Sequence, residues 1–140
     1  MSSATAYNAL HDFLEVAWDA GPAPLVYENE KFDKPEPPAP WIYVEVIGTL
    51  FDAASIGAGD DESNLYREDG QVFFHVFVPK GSGSVTARGL GEQLATLFRG
   101  RELLGGKMIF PSASIGDNAV GSDDGNWWRM TAAIAFQRED

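Results

Sequence analysis

Gln71-Val72-Phe73-Phe74-His75-Val76-Phe77-Val78 is dense in β-branched and aromatic residues and alternates at period two. Val72, Phe74, Val76 and Val78 share one face, and Phe73, His75 and Phe77 occupy the other. Apolar side chains on both faces mark a central strand covered on both sides, by helices or by another subunit. Pro79-Lys80-Gly81-Ser82-Gly83 ends it. Upstream, Leu65 to Arg67 belongs to the same strand, and Glu68-Asp69-Gly70 reads as a turn that interrupts it.

Downstream, Ala87, Leu90, Leu94, Leu97 and Phe98 form an apolar stripe at helical spacing, which predicts a helix over 85–99 with Ser84 as N-cap. Gly89 and Gly91 lie inside it, and each costs roughly 1 kcal/mol relative to alanine. Glycine is tolerable there where the backbone must approach a sheet or a partner. A short strand over 107–111, a polar excursion over 111–126 and a strand over 128–137 complete the chain. In the last strand Trp128, Met130, Ala132, Ile134 and Phe136 face one way. Its neighbour Trp127 is left to the other face or to the preceding loop.

Upstream of the central strand, Trp41 to Phe51 reads as a strand with Ile42, Val44 and Val46 on its buried face. A long Gly-, Ala- and Asp-rich loop over 53–64 follows it. Before it lies an arm over 28–40, kept extended and partly polyproline-like by Pro35, Pro37, Pro38 and Pro40. That arm is either a surface connector or a segment that lies on a neighbouring subunit. Leu25-Val26-Tyr27 is extended. The chain opens with an amphipathic helix over 5–20, with Ala6, Leu10, Phe13, Leu14, Ala17 and Trp18 on one face, ended by Gly21-Pro22. This order predicts one α+β domain over 1–140, a mainly antiparallel sheet flanked by two helices. Trp41, Tyr43, Phe73, Phe77 and Trp127 offer more apolar surface than a monomer of this length should expose. Oligomerisation is the simplest use of that surface, and cover by both helices is the alternative.

Composition narrows the chemistry. The chain has no cysteine, which excludes disulfides, thiol nucleophiles and Cys-based metal sites. A net charge of −11 argues against binding to nucleic acid phosphates or anionic membranes. No run approaches the ~18 apolar residues of a membrane span, and the N-terminus carries no secretory pattern. His11 and His75 are far apart and read as structural residues, so no metal is expected. Lys80 to Ser84 precedes a helix, where amides can hold an anion, but it reads first as a tight strand-to-helix turn. Asp60-Asp61-Glu62 and Asp123-Asp124 do not match the spacing of an EF-hand. No nucleophile elbow, P-loop or dinucleotide fingerprint is present.

The run from Arg67 to Phe98, REDGQVFFHVFVPKGSGSVTARGLGEQLATLF, resembles the central segment of the tail-terminator-like proteins of long-tailed bacteriophages. PPAPWIYV at 37–44 and GNWWRMTAAIAF at 125–136 extend the likeness. The resemblance makes Trp41, Arg67, Gly70, Phe77, Pro79, Gly83 and Phe98 the fold-defining positions. It implies a structural, non-enzymatic virion protein without cofactor. Such a subunit forms a hexameric ring on the tail tube, stops tail elongation and joins the tail to the head-completion protein, with DNA passing through the lumen without specific binding. The place is the head-proximal end of a tail assembled in a bacterial cytoplasm, from a phage, a prophage or a gene transfer agent. Interface candidates are Trp41, Tyr43, Asp60, Asp61, Arg67, Asp117, Asp123 and Trp127. The alternatives are another tail-completion protein, or a small ligand-binding or enzymatic domain that uses the Gly81–Ser84 turn and the carboxylates.

Overall fold

The computed structural model describes residues 3–19, 21–53, 66–116 and 122–139, with 49–53 and 122–124 as backbone. Its elements are α1 (Ala4–Ala17), β1 (Leu25–Tyr27), β2 (Trp41–Ala53), β3 (Tyr66–Pro79), α2 (Val85–Phe98), β4 (Glu102–Leu103), β5 (Met108–Ile115), β6 (Ser122–Asp124) and β7 (Trp127–Glu139). They make an α+β fold with a single sheet in the order β1-β2-β3-β7-β5-β4. All its pairings are antiparallel except β1 with β2. β6 pairs with the start of β7, on the edge that β5 occupies further along.

Alternation in β2, β3 and β7 sends Ile42, Val44, Val46, Val72, Phe74 and Ile134, among others, into one core with Leu10, Leu14, Leu90, Leu94 and Phe98 of the helices. Each fully buried leucine there contributes about 2 kcal/mol. Both helices therefore cover the same face of the sheet. The second face of β3, expected to be covered, has no helix over it among the described residues.

Several boundaries differ from expectation for physical reasons. Helix α1 stops at Ala17 because Trp18 leaves helical geometry and its indole donates to the Ala23 carbonyl at 2.8 Å. Glu68-Asp69-Gly70 is not a turn: β3 runs unbroken through it, paired with β2 and with Arg138, Gln137 and Phe136 of β7. The irregularity lies in the partner strand, between Gly48 and Leu50. The strand expected over 107–111 continues to Ile115, because Pro111 falls at a register shift on the sheet edge, where no ladder amide is required. The excursion expected over 111–126 thus contains parts of β5 and β6. Ser84 occupies the N-cap of α2, but its side chain makes no capping bond; Arg88 Nε donates to its hydroxyl instead.

The two helical glycines separate. A Cβ on Gly91 would meet Ile115 Cγ2 at 3.2 Å and Ala132 Cβ at 3.6 Å, so close approach to the sheet accounts for it. A Cβ on Gly89 would meet nothing within 4 Å. Gly89→Ala should therefore stabilise the isolated chain by about 0.5–1 kcal/mol, read as a melting temperature higher by roughly 2–5 °C in calorimetry.

Candidate assembly surface

The uncovered face of the sheet is built by the side chains that alternation turns away from the helices. At one end Trp41 stacks on Phe77 (4.2 Å between ring centroids, 7°) and meets Trp127 edge-on at 6.0 Å. Val26 of β1 completes this second cluster, and Phe32 and Tyr43 pack against it. Trp127, which the sequence left to the other face or a loop, is in the strand, on this face, and buried. Its neighbour Trp128 packs against the main core.

The middle of the face carries a polar crossing of three strands. His75 Nδ1 lies 2.8 Å from the Thr131 hydroxyl and Nε2 lies 3.0 Å from Glu45 Oε1. Phe73 stacks beside the imidazole at 6.0 Å and Tyr43 tilts against it at the same distance. The arrangement is satisfied in both protonation states. A neutral ring donates through Nε2 to Glu45 and accepts from Thr131, and a charged ring donates to both. It links β2, β3 and β7 in one register across the middle of the face.

Of the sequence candidates, Trp41, Tyr43 and Trp127 meet at one end. Arg67 stands near the opposite end of β3, with its Nε 3.4 Å from Asp69 Oδ1. Asp123 pairs through its backbone with Trp128, while Asp60, Asp61 and Asp117 lie outside the described residues, as does the loop expected over 53–64 except for Ala53, which ends β2. Val26, Phe32 and the Glu45–His75–Thr131 crossing were missed. Only the alternation of β2 and β3 signals the last of these, by placing Glu45 and His75 on the outer face. The second histidine, His11, is half-buried on α1 with its ring 4.5 Å from that of Tyr27. Among the described residues no group of three metal-ligating side chains occurs, and no helix is long and apolar enough to cross a membrane.

The model of the phage tail terminator protein family matches residues 5–136. The chain belongs to that family. Membership gives the protein a structural role in the phage tail, a place in the virion tail and contact with other tail or head proteins; it points away from catalysis. A solved structure that carries only a sequence identifier as its name superposes with a TM-score of 0.68. That likeness covers 99% of this chain and 96% of the other at 22% identity, and it is a likeness of fold. Among curated proteins none matches.

Proposed function

We propose that this tail terminator family member forms a hexameric ring on the head-proximal end of the tail tube. The ring halts tube elongation and offers its other side to the head-completion protein. The observation that carries this reading is the sheet face that neither helix covers among the described residues, with Tyr43 and Phe73 half-buried on it, in a chain of a tail family. Contacts between unlike surfaces that close on themselves generate a ring. The function is then geometry and binding, without turnover.

The acidity fits a conduit. Six copies at −11 each carry −66, and carboxylates on the lumen repel passing phosphates over about 8 Å at physiological ionic strength. DNA is then a neighbour of this protein and not its ligand.

Disrupting the gene in a producing genome should yield tails of uncontrolled length that fail to join heads, visible by negative-stain microscopy. Head-joined tails of normal length would refute the proposal.

A further inference from the structure

The sheet ends on two strands whose outer edges are open among the described residues. β1 pairs only with β2. At the far end β4 reaches β5 at Met108 and Ile109 alone, and the rest of β5 pairs only with β7. The Ile42 amide donates to the Pro24 carbonyl at 3.0 Å, so alternation points the backbone groups of Leu25 and Tyr27 outward. The Gly116 amide donates to the Thr131 carbonyl at 2.8 Å, which turns the backbone groups of Ala113 and Ile115 outward in the same way. Each edge therefore offers two residues, spaced two apart, with unpaired ladder groups. Such an edge is a template for another strand.

A helix flanks each edge, and the two flanks carry opposite charge. Beside β1, a groove against α1 is lined by Glu15, Asp19 and Leu25, and the chain has no Lys or Arg before Lys31. Beside β5, a groove against α2 is lined by Phe98, Arg99, Phe110 and Ile115. Arg99, Arg101 and Lys107 face a single acid, Glu102, over 99–107. The edges also differ in direction. β1 runs with β2, whereas β5 runs against it. Passing from one copy to the next around a ring of six keeps the strand sense, so β1 of one copy meets β5 of its neighbour antiparallel. Unlike edges that repeat in this way close a ring.

We propose that neighbouring copies join edge to edge, β1 of one copy adding antiparallel to β5 of the next, with Leu25 opposite Ile115 and Tyr27 opposite Ala113. The occupant of each edge is a second copy of this chain. Main-chain hydrogen bonds hold the contact. The α1 acids, brought beside Arg99, select the unlike edge and reject the like one. The inference rests on the ring reading above and names the contact that closes it, and it leaves the uncovered face free for other tail proteins.

Charge reversal tests the pairing in a producing genome. Arg99 and Glu15 are both exposed, so Arg99→Glu should leave the melting temperature of the purified chain nearly unchanged while head-joined particles fall about tenfold. Adding Glu15→Arg to the same chain should restore most of the yield. An unchanged yield for Arg99→Glu, or a loss that Glu15→Arg does not reverse, overturns the proposal. Cross-linking tests the neighbour directly. The chain has no cysteine, so a producer that co-expresses Ala113→Cys and Asp19→Cys chains can be bridged by a flexible bismaleimide only between copies. Both positions are exposed. A 113-to-19 link in particles, identified by mass spectrometry, is expected. Tails of normal length without that link, or with residue 113 joined to another tail protein, overturn the edge pairing and leave the ring standing. A lone chain on such tails, with no second copy beside it, overturns both.

Discussion

Gly70→Ala should cost about 3 kcal/mol or more, shifting the urea midpoint down by roughly 1.5–2 M. The reason is local and steric. Gly70 sits in β3 opposite Gly48 on one side and Phe136 on the other. A Cβ there would be driven into the Phe136 ring and would stand 2.6 Å from the Ile47 carbonyl oxygen. Phe136 is among the largest fully buried side chains and has little room to retreat. The carbonyl belongs to the ladder and cannot move without breaking pairing. Adding Phe136→Leu should therefore restore only part of the loss, since it relieves the ring and not the carbonyl. A melting curve for Gly70→Ala that matches the wild type would show that β2 yields at this point.

The same glycine illustrates what could be read in advance. Glu-Asp-Gly between two apolar runs has the local chemistry of a turn, and nothing nearby in sequence contradicts it. The contradiction comes from Arg138 and Phe136, about seventy positions on, which pair with Glu68 and Gly70 across the sheet. Alternation was legible wherever one face met the core, so the faces of β2, β3 and β7 followed from residue type alone. Where burial depends on distant cover, the sequence was silent. Trp127 is buried by Trp41, and Trp41 in turn is met by Phe32 from an arm whose composition is that of a solvated connector. The candidate surface was accordingly half visible. Its aromatic members stood out as an excess of apolar groups, while the Glu45–His75–Thr131 crossing depends on register that only the folded sheet sets.

Glu68 is the second position where a single change should be severe. Its carboxylate is 3% exposed and gathers the start of α1 and the end of β7. It accepts from the Ser3 amide at 2.7 Å, the Ser3 hydroxyl at 2.6 Å and Arg138 Nε at 3.1 Å. Ser3 is also the N-cap of α1, its hydroxyl oxygen accepting from the Ala6 amide at 3.2 Å. Burial pushes the Glu68 pKa up, but the hydrogen bonds from Ser3 and the Arg138 charge outweigh it and hold the group below its ordinary value. Glu68→Ala leaves Arg138, 6% exposed, without this counter-charge and should cost about 3–5 kcal/mol. Calorimetry should read that as a melting temperature lower by roughly 10–15 °C. Glu68→Met with Arg138→Leu removes both charges together and should recover most of the loss. The lowered pKa fixes the direction of the pH dependence. A carboxylate depressed on folding stabilises fully above its unfolded pKa, near 4.3, and loses that contribution as pH falls through the lower folded value. Wild-type stability should therefore fall more steeply than that of Glu68→Gln as pH drops below about 4.3. Parallel acid limbs for the two proteins would show that the Ser3 and Arg138 contacts do not favour the ionised form.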